Sequence, residues 1–122
     1  MKITQLQPKG SDERGSTTEY LHERSGKQLL LFRKAGTING RHYHKGISPA
    51  KDPEIFIVAH GTCKVSWRHI NSSELETQEV TGPAQLEVPP YIWHEVEPVT
   101  DCVFLELNSI EEHAADVFYL EK

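Results

Sequence analysis

Apolar positions in this chain recur with a period of two, in short runs cut by Gly and Pro. Residues 2–7, KITQLQ, alternate apolar and polar until Pro8–Gly10 ends them as a turn would. TTEYL is a second, short β-prone segment. QLLLFRK follows the Ser25-Gly26-Lys27 turn, and Ala35-Gly36 turns the chain into a strand carrying His42 and His44. IFIVA, opened by Glu54, is a branched and aromatic run that suits a buried strand. In TCKVSWRHI, Cys63, Val65 and Trp67 alternate with polar residues; Asn71-Ser72-Ser73 turns the chain and LETQEV returns. QLEV, then YIWHEVEP after the stiff Pro89-Pro90, then DCVFLELN complete the strand-like segments. Residues 45–53 hold two Pro and one Gly and are predicted to be a loop. Only SIEEHAADVFY offers a helical turn, with Ser109 as N-cap and two acids in its first turn.

The pattern predicts about nine or ten short strands with a break every 8–12 residues or so, as in an antiparallel sandwich or barrel. At 122 residues the chain is read as one all-β domain, 1–122, with a single core and no repeat or linker. Its 37% hydrophobic content argues against disorder, and no apolar run approaches a bilayer span. A formal charge of −5 without a basic run argues against nucleic acid as the main partner but leaves a small anionic ligand open. The N-terminus lacks the apolar centre of a secretory signal, so a cytoplasmic protein is expected. Cys63 and Cys102 each sit in an apolar strand context and read as core fillers in a reducing compartment.

The chemistry concentrates around His42 and His44. Two apart on a strand, both rings leave one face while Tyr43 leaves the other. Glu54 at the head of an apolar strand is costly to bury unpaired. His94 follows two prolines that stiffen its approach. Three imidazoles and a carboxylate converging from neighbouring strands form a set for a divalent metal: zinc first, with iron, nickel and manganese as alternatives.

Gly36, His42, His44, Glu54 and Gly61 together resemble the first motif of the cupin superfamily, and Gly82, Pro89, Tyr91 and His94 approximate the second. Two departures stand out: nine residues separate His44 from Glu54 where cupins have three or four, and Tyr91 replaces a Gly. The first implies a longer loop over the barrel mouth, the second a phenol near the ligand entrance. Asp12-Glu13-Arg14-Gly15-Ser16 with Thr18-Glu19 resembles an element of nucleotide-deoxysugar epimerases and 3,4-ketoisomerases. Arg41–Lys45, Trp67–Ile70, Pro89–Tyr91 with His94, and Phe118–Glu121 resemble the cupin domain of bifunctional capsule-synthesis enzymes that process UDP-linked 4-keto-6-deoxy sugars.

The resemblance implies a jelly-roll barrel with His42, His44, Glu54 and His94 as metal ligands. It also implies an isomerase or epimerase that takes a proton beside a keto group in polysaccharide or deoxysugar biosynthesis. The substrate would be a UDP- or dTDP-linked sugar, and the protein a homodimer. A positioned base contributes about 10²–10⁴-fold to such a step. With metal on the imidazoles, Tyr91, Tyr43 and Lys45 are the acid–base candidates; without it, His44 is the base and His94 its partner. Arg14 is the candidate for the diphosphate, and Arg41, at the mouth, and Glu19 are further substrate-binding candidates. Alternatives are another metal-dependent cupin activity, such as a dioxygenase, and a module that binds a small ligand without turnover. Trp67 and Trp93 read as packing, and His22, His60, His69, His113, Asp101 and Asp116 carry no assigned role.

Overall fold

The computed structural model describes residues 1–120, so Glu121 of the closing segment lies outside the described residues. Two antiparallel sheets pack face to face. One has the order β1 (Lys2–Gln5), β9 (Ala84–Val88), β6 (Glu54–His60), β11 (Cys102–Glu106), β4 (Leu29–Arg33). The other runs β5 (Asn39–His42), β10 (Ile92–Pro98), β7 (Thr62–His69), β8 (Glu76–Thr81). A small hairpin, β2 (Gly10–Asp12) with β3 (Gly15–Thr17), is exposed throughout. The β content expected from the alternation is thus present; eleven strands appear because the Asp12–Gly15 corner is itself a hairpin. TTEYL is not a full strand: β3 ends at Thr17, and residues 18–28 are strand-free.

Alternation places the core. Phe56 and Val58 of β6 meet Cys63, Val65, Leu86, Val96 and Phe104 between the sheets. Ile55 and Ile57 point to the opposite face of β6 and are nonetheless 7% and 2% exposed. The strand-free segment 18–28 reaches this face: Gln85, the cross-strand neighbour of Ile57, donates to the Leu21 carbonyl, and Arg24 donates to the carbonyl of Pro53 at 2.6 Å. β6 is therefore buried on both faces, which is why its sequence is continuously apolar. Cys63 and Cys102 are buried free thiols, and burial pushes Cys63 up to about 12. The helix α1 (Ile110–Ala114) starts at the expected N-cap: Ser109 and Glu112 form a reciprocal capping box.

Candidate functional site

His42 and His94 are directly opposite each other on β5 and β10, and their rings stand 5.0 Å apart. His44 follows two residues on, 5.0 Å from His42 and 5.3 Å from His94. A bulge sets this up. His94 pairs His42 but Glu95 pairs Gly40, leaving Arg41 as the extra residue in a left-handed conformation with φ 62. Gly40 is required beside it, since a Cβ there would lie 2.9 Å from the His94 carbonyl oxygen. Glu54 arrives from the facing sheet at the head of β6, 2% exposed. The three imidazoles and the carboxylate predicted from the motif therefore share one place between the sheets. The adjoining cavity, about 220 Å³, is lined by His42, His94, Glu54, His113, Glu106 and Arg33, with Leu29, Leu31, Phe56 and Phe104 as apolar wall.

Lys51 is the residue that sequence reasoning passed over. It lies in the Pro- and Gly-containing loop, yet is 0% exposed. Its ammonium spends three donors on three acceptors: Glu54 Oε2 at 2.8 Å, Asn108 Oδ1 at 3.1 Å and His113 Nδ1 at 3.0 Å. Within the loop between His44 and Glu54, only Ala50 and Lys51 are buried, and the turn there delivers this cation. Asp116 pins the loop, its two carboxylate oxygens accepting the backbone N–H groups of Lys45 and Ser48 at 2.8 and 3.1 Å. His113 and Asp116, both without a role in the sequence reading, belong to the site.

The charges follow from these contacts. Burial alone would raise the Glu54 carboxyl, but the abutting His44 ring and the nearby His94 and Lys51 outweigh it and hold Glu54 well below the usual range. Burial lowers His42 to about 3, helped by His94 and His44, and lowers His113 to about 4, helped by Lys51. His94 is lowered too, chiefly by burial. Glu106 goes the other way: burial, then the charge of Glu54, raises its carboxyl. Two neighbouring strands of one sheet thus present a clamped anion and a carboxyl biased towards its protonated form.

The donor geometry fits a divalent cation. His44 Nδ1–H donates to the Asp116 carbonyl at 2.5 Å, so in the neutral ring Nε2 is the bare nitrogen. That nitrogen is buried without a hydrogen-bond partner and abuts Glu54 Oε2, two lone-pair carriers that need a proton or a cation between them. His94 is oriented alike: Nδ1–H donates to the Ile92 carbonyl, and Nε2 lies 3.7 Å from Glu54 Oε1. Ligand atoms of His42, His44 and His94 fall within 4.8 Å of one another; those of His44, Glu54 and His113 are equally close, but Lys51 already takes the Nδ1 lone pair of His113. Since Lys51 and His44 already occupy Oε2, Oε1 is the oxygen of Glu54 left for a further bond.

The remaining sequence candidates lie elsewhere. Tyr43 packs against Tyr91 and Phe118, with ring centroids 6.4 and 5.8 Å away, and Lys45 Nζ sits 4.1 Å over the Phe118 ring. Tyr91 adopts φ 66, the left-handed conformation that a Gly takes easily, and its N–H donates to the His44 carbonyl at 2.7 Å. Arg41 pairs with Glu95 at 2.6 Å and Arg14 forks onto Asp12, both side chains mostly exposed; Glu19 is exposed. None of these six residues lines the cavity. Two that do, Glu106 and Arg33, were legible from parity. Cys102, Phe104, Glu106 and Leu29, Leu31, Arg33 are the inward positions of their strands.

The profile of the polysaccharide biosynthesis C-terminal domain family matches residues 10–114. The chain belongs to that family. The matched segment contains every site residue named above except Asp116. No curated protein matches the sequence. Among solved structures, the capsular polysaccharide assembling protein CapF from Staphylococcus aureus superposes with a TM-score of 0.64 at 26% identity, over 96% of this chain and 33% of CapF. The chain therefore spans about a third of CapF's length. QdtA, a sugar 3,4-ketoisomerase from Thermoanaerobacterium thermosaccharolyticum solved with TDP, gives 0.72 at 18% identity over 98% of this chain and 87% of QdtA. WlaRB, a TDP-quinovose 3,4-ketoisomerase from Campylobacter jejuni, gives 0.72 at 19% over 98% and 92%. These likenesses establish the fold of this family member as the cupin-type jelly roll expected from its histidine motifs.

Proposed function

We propose that the chain is a sugar-nucleotide isomerase or epimerase domain that moves a proton beside the carbonyl of a nucleotide-linked keto sugar during polysaccharide biosynthesis. The observation that carries this reading is the cavity itself. Oppositely biased carboxyls, Glu54 and Glu106, face a set of imidazoles held neutral, in one cavity between the sheets. The family match and the likeness to CapF and the ketoisomerases support a sugar nucleotide as the ligand class.

His42, His44 and His94 would hold a divalent metal, with Glu54 Oε1 available beside them; zinc suits this set first, and iron, nickel or manganese are accepted by the same donors. Such an ion supplies a Lewis acid for the carbonyl oxygen. The chain's own residues do the rest. Glu106, whose carboxyl is raised by burial and by the charge of Glu54, exchanges the proton with the carbon next to the carbonyl. Arg33, a cation among the lining residues, offers a fork to an anionic or hydroxylated part of the ligand. Leu29, Leu31, Phe56 and Phe104 supply an apolar wall for the carbon face of the ligand.

Two measurements test the reading. Incubation in deuterium oxide with UDP- and dTDP-linked 4-keto-6-deoxy sugars is expected to place deuterium at the carbon adjacent to the carbonyl; no incorporation into any member of the panel retires the reading. Elemental analysis is expected to find metal in the wild type and none in a folded His94→Ala variant. Equal content in the two removes His94 from the ligand set.

A further inference from the structure

We infer that Lys51 locks His113 in a single tautomer and so makes it a neutral hydrogen-bond donor for a ligand oxygen inside the cavity. An ammonium can only donate. His113 Nδ1, 3.0 Å from Lys51 Nζ, must therefore be the bare nitrogen, and Nε2 must carry the ring's one proton. Lys51 cannot drift from this duty, because Glu54 and Asn108 take its other two donors and it is 0% exposed. The His113 ring lines the cavity and stands 5.3 Å from the ring of His42. With Nδ1 spent on Lys51, Nε2–H is the polar group the ring retains for a ligand. A neutral donor suits an oxygen that gains negative charge as a neighbouring C–H proton leaves, because it stabilises the enolate without giving up its own proton. Resting on the proposed function, this makes His113 a carbonyl-binding residue and Lys51 the positioning residue behind it. The capped turn of α1 is then part of the reactive site and more than a closing flap.

The experiment has a spectroscopic arm and a kinetic arm. In protein labelled with ¹⁵N-histidine, long-range ¹H–¹⁵N correlation spectra are expected to show His113 wholly as the Nε2–H tautomer. Lys51→Arg, which still offers only donors, is expected to keep that pattern, and Lys51→Met to mix the two tautomers. If Lys51→Met does not fold, the wild-type and Lys51→Arg spectra still decide. In the exchange assay with dTDP-4-keto-6-deoxyglucose, His113→Leu is expected to lose about 10²-fold in rate. His113→Gln, whose amide N–H reaches the position of Nε2, is expected to recover most of the loss. An Nδ1–H or mixed tautomer in the wild type overturns the lock, and equal rates for the Leu variant and the wild type overturn the donor role. Should the wild type itself exchange nothing, the proposed function fails while the tautomer spectra still settle the lock.

Discussion

At Lys51 and Glu54 two full charges sit where almost no water reaches, and their pairing has consequences that can be measured. Breaking a buried pair by removing one partner typically costs about 3–5 kcal/mol, because the other charge is stranded, whereas removing both together costs much less. Urea titration should therefore show Lys51→Met and Glu54→Gln each strongly destabilised and the double variant recovering a large part; strictly additive losses would mean the pair is not coupled. The neutral histidines set the acid limit. His42 titrates at about 3 in the fold against 6.5 for an ordinary imidazole, and His113 at about 4. Between those values and 6.5 the unfolded chain binds protons that the folded one refuses. Stability is thus full above about 6.5 and is lost as pH falls towards 3–4, with Glu54 adding to the loss below 4.5. For His42 alone, at about 1.36 kcal/mol per unit, the loss by pH 5 is roughly 2 kcal/mol. The melting temperature of chelator-treated protein should drop between pH 7 and 5, and His42→Gln should drop less. Parallel curves would show that His42 is not held neutral.

Among the elements, the loop between β5 and β6 departs most from its sequence pattern. Two Pro and a Gly say only that it is irregular; its anchor is Asp116, far along the chain, which takes two of its N–H groups. Asp116→Ala should cost about 2 kcal/mol or more through those orphaned donors, read as a lower denaturation midpoint, and Asp116→Asn should cost less. A surface-like loss of a few tenths would show that the loop stands without it. Local patterns made the strands legible, because a one-residue slip of His42 and His44 or of Phe56 and Val58 would expose half the sheet face. The capping box of α1 was legible for the same reason: its partners are three residues apart. Lys51 and His113 were not, since a lysine in a loop and a histidine in a short polar helix normally face solvent. Only the fold brings their partners within reach. Glu106 and Arg33 stand between these cases, visible in strand parity but carrying side chains that solvent would also have accepted.

For the molecule as a whole, a continuous apolar core and a polar cavity share one pair of sheets, and the rigid core holds the imidazoles and carboxyls in register. Among the described residues no helix is long and apolar enough to cross a membrane. Membership of the polysaccharide biosynthesis C-terminal domain family and the cupin-type fold leave open which face of the barrel does the chemistry. Tyr91, favoured by its place in the motif, lies off the cavity; Glu106 lies on it. The comparison that separates these two faces is the rate of solvent deuterium entry into a nucleotide-linked 4-keto-6-deoxy sugar, measured for wild type, Glu106→Gln and Tyr91→Phe. Because the Glu106 carboxyl is biased towards its neutral form, Gln should leave the fold intact while lowering the rate by about 10² or more, and Tyr91→Phe should stay near the wild-type rate. Undiminished exchange in Glu106→Gln together with its loss in Tyr91→Phe would place the reaction outside the cavity and contradict the account.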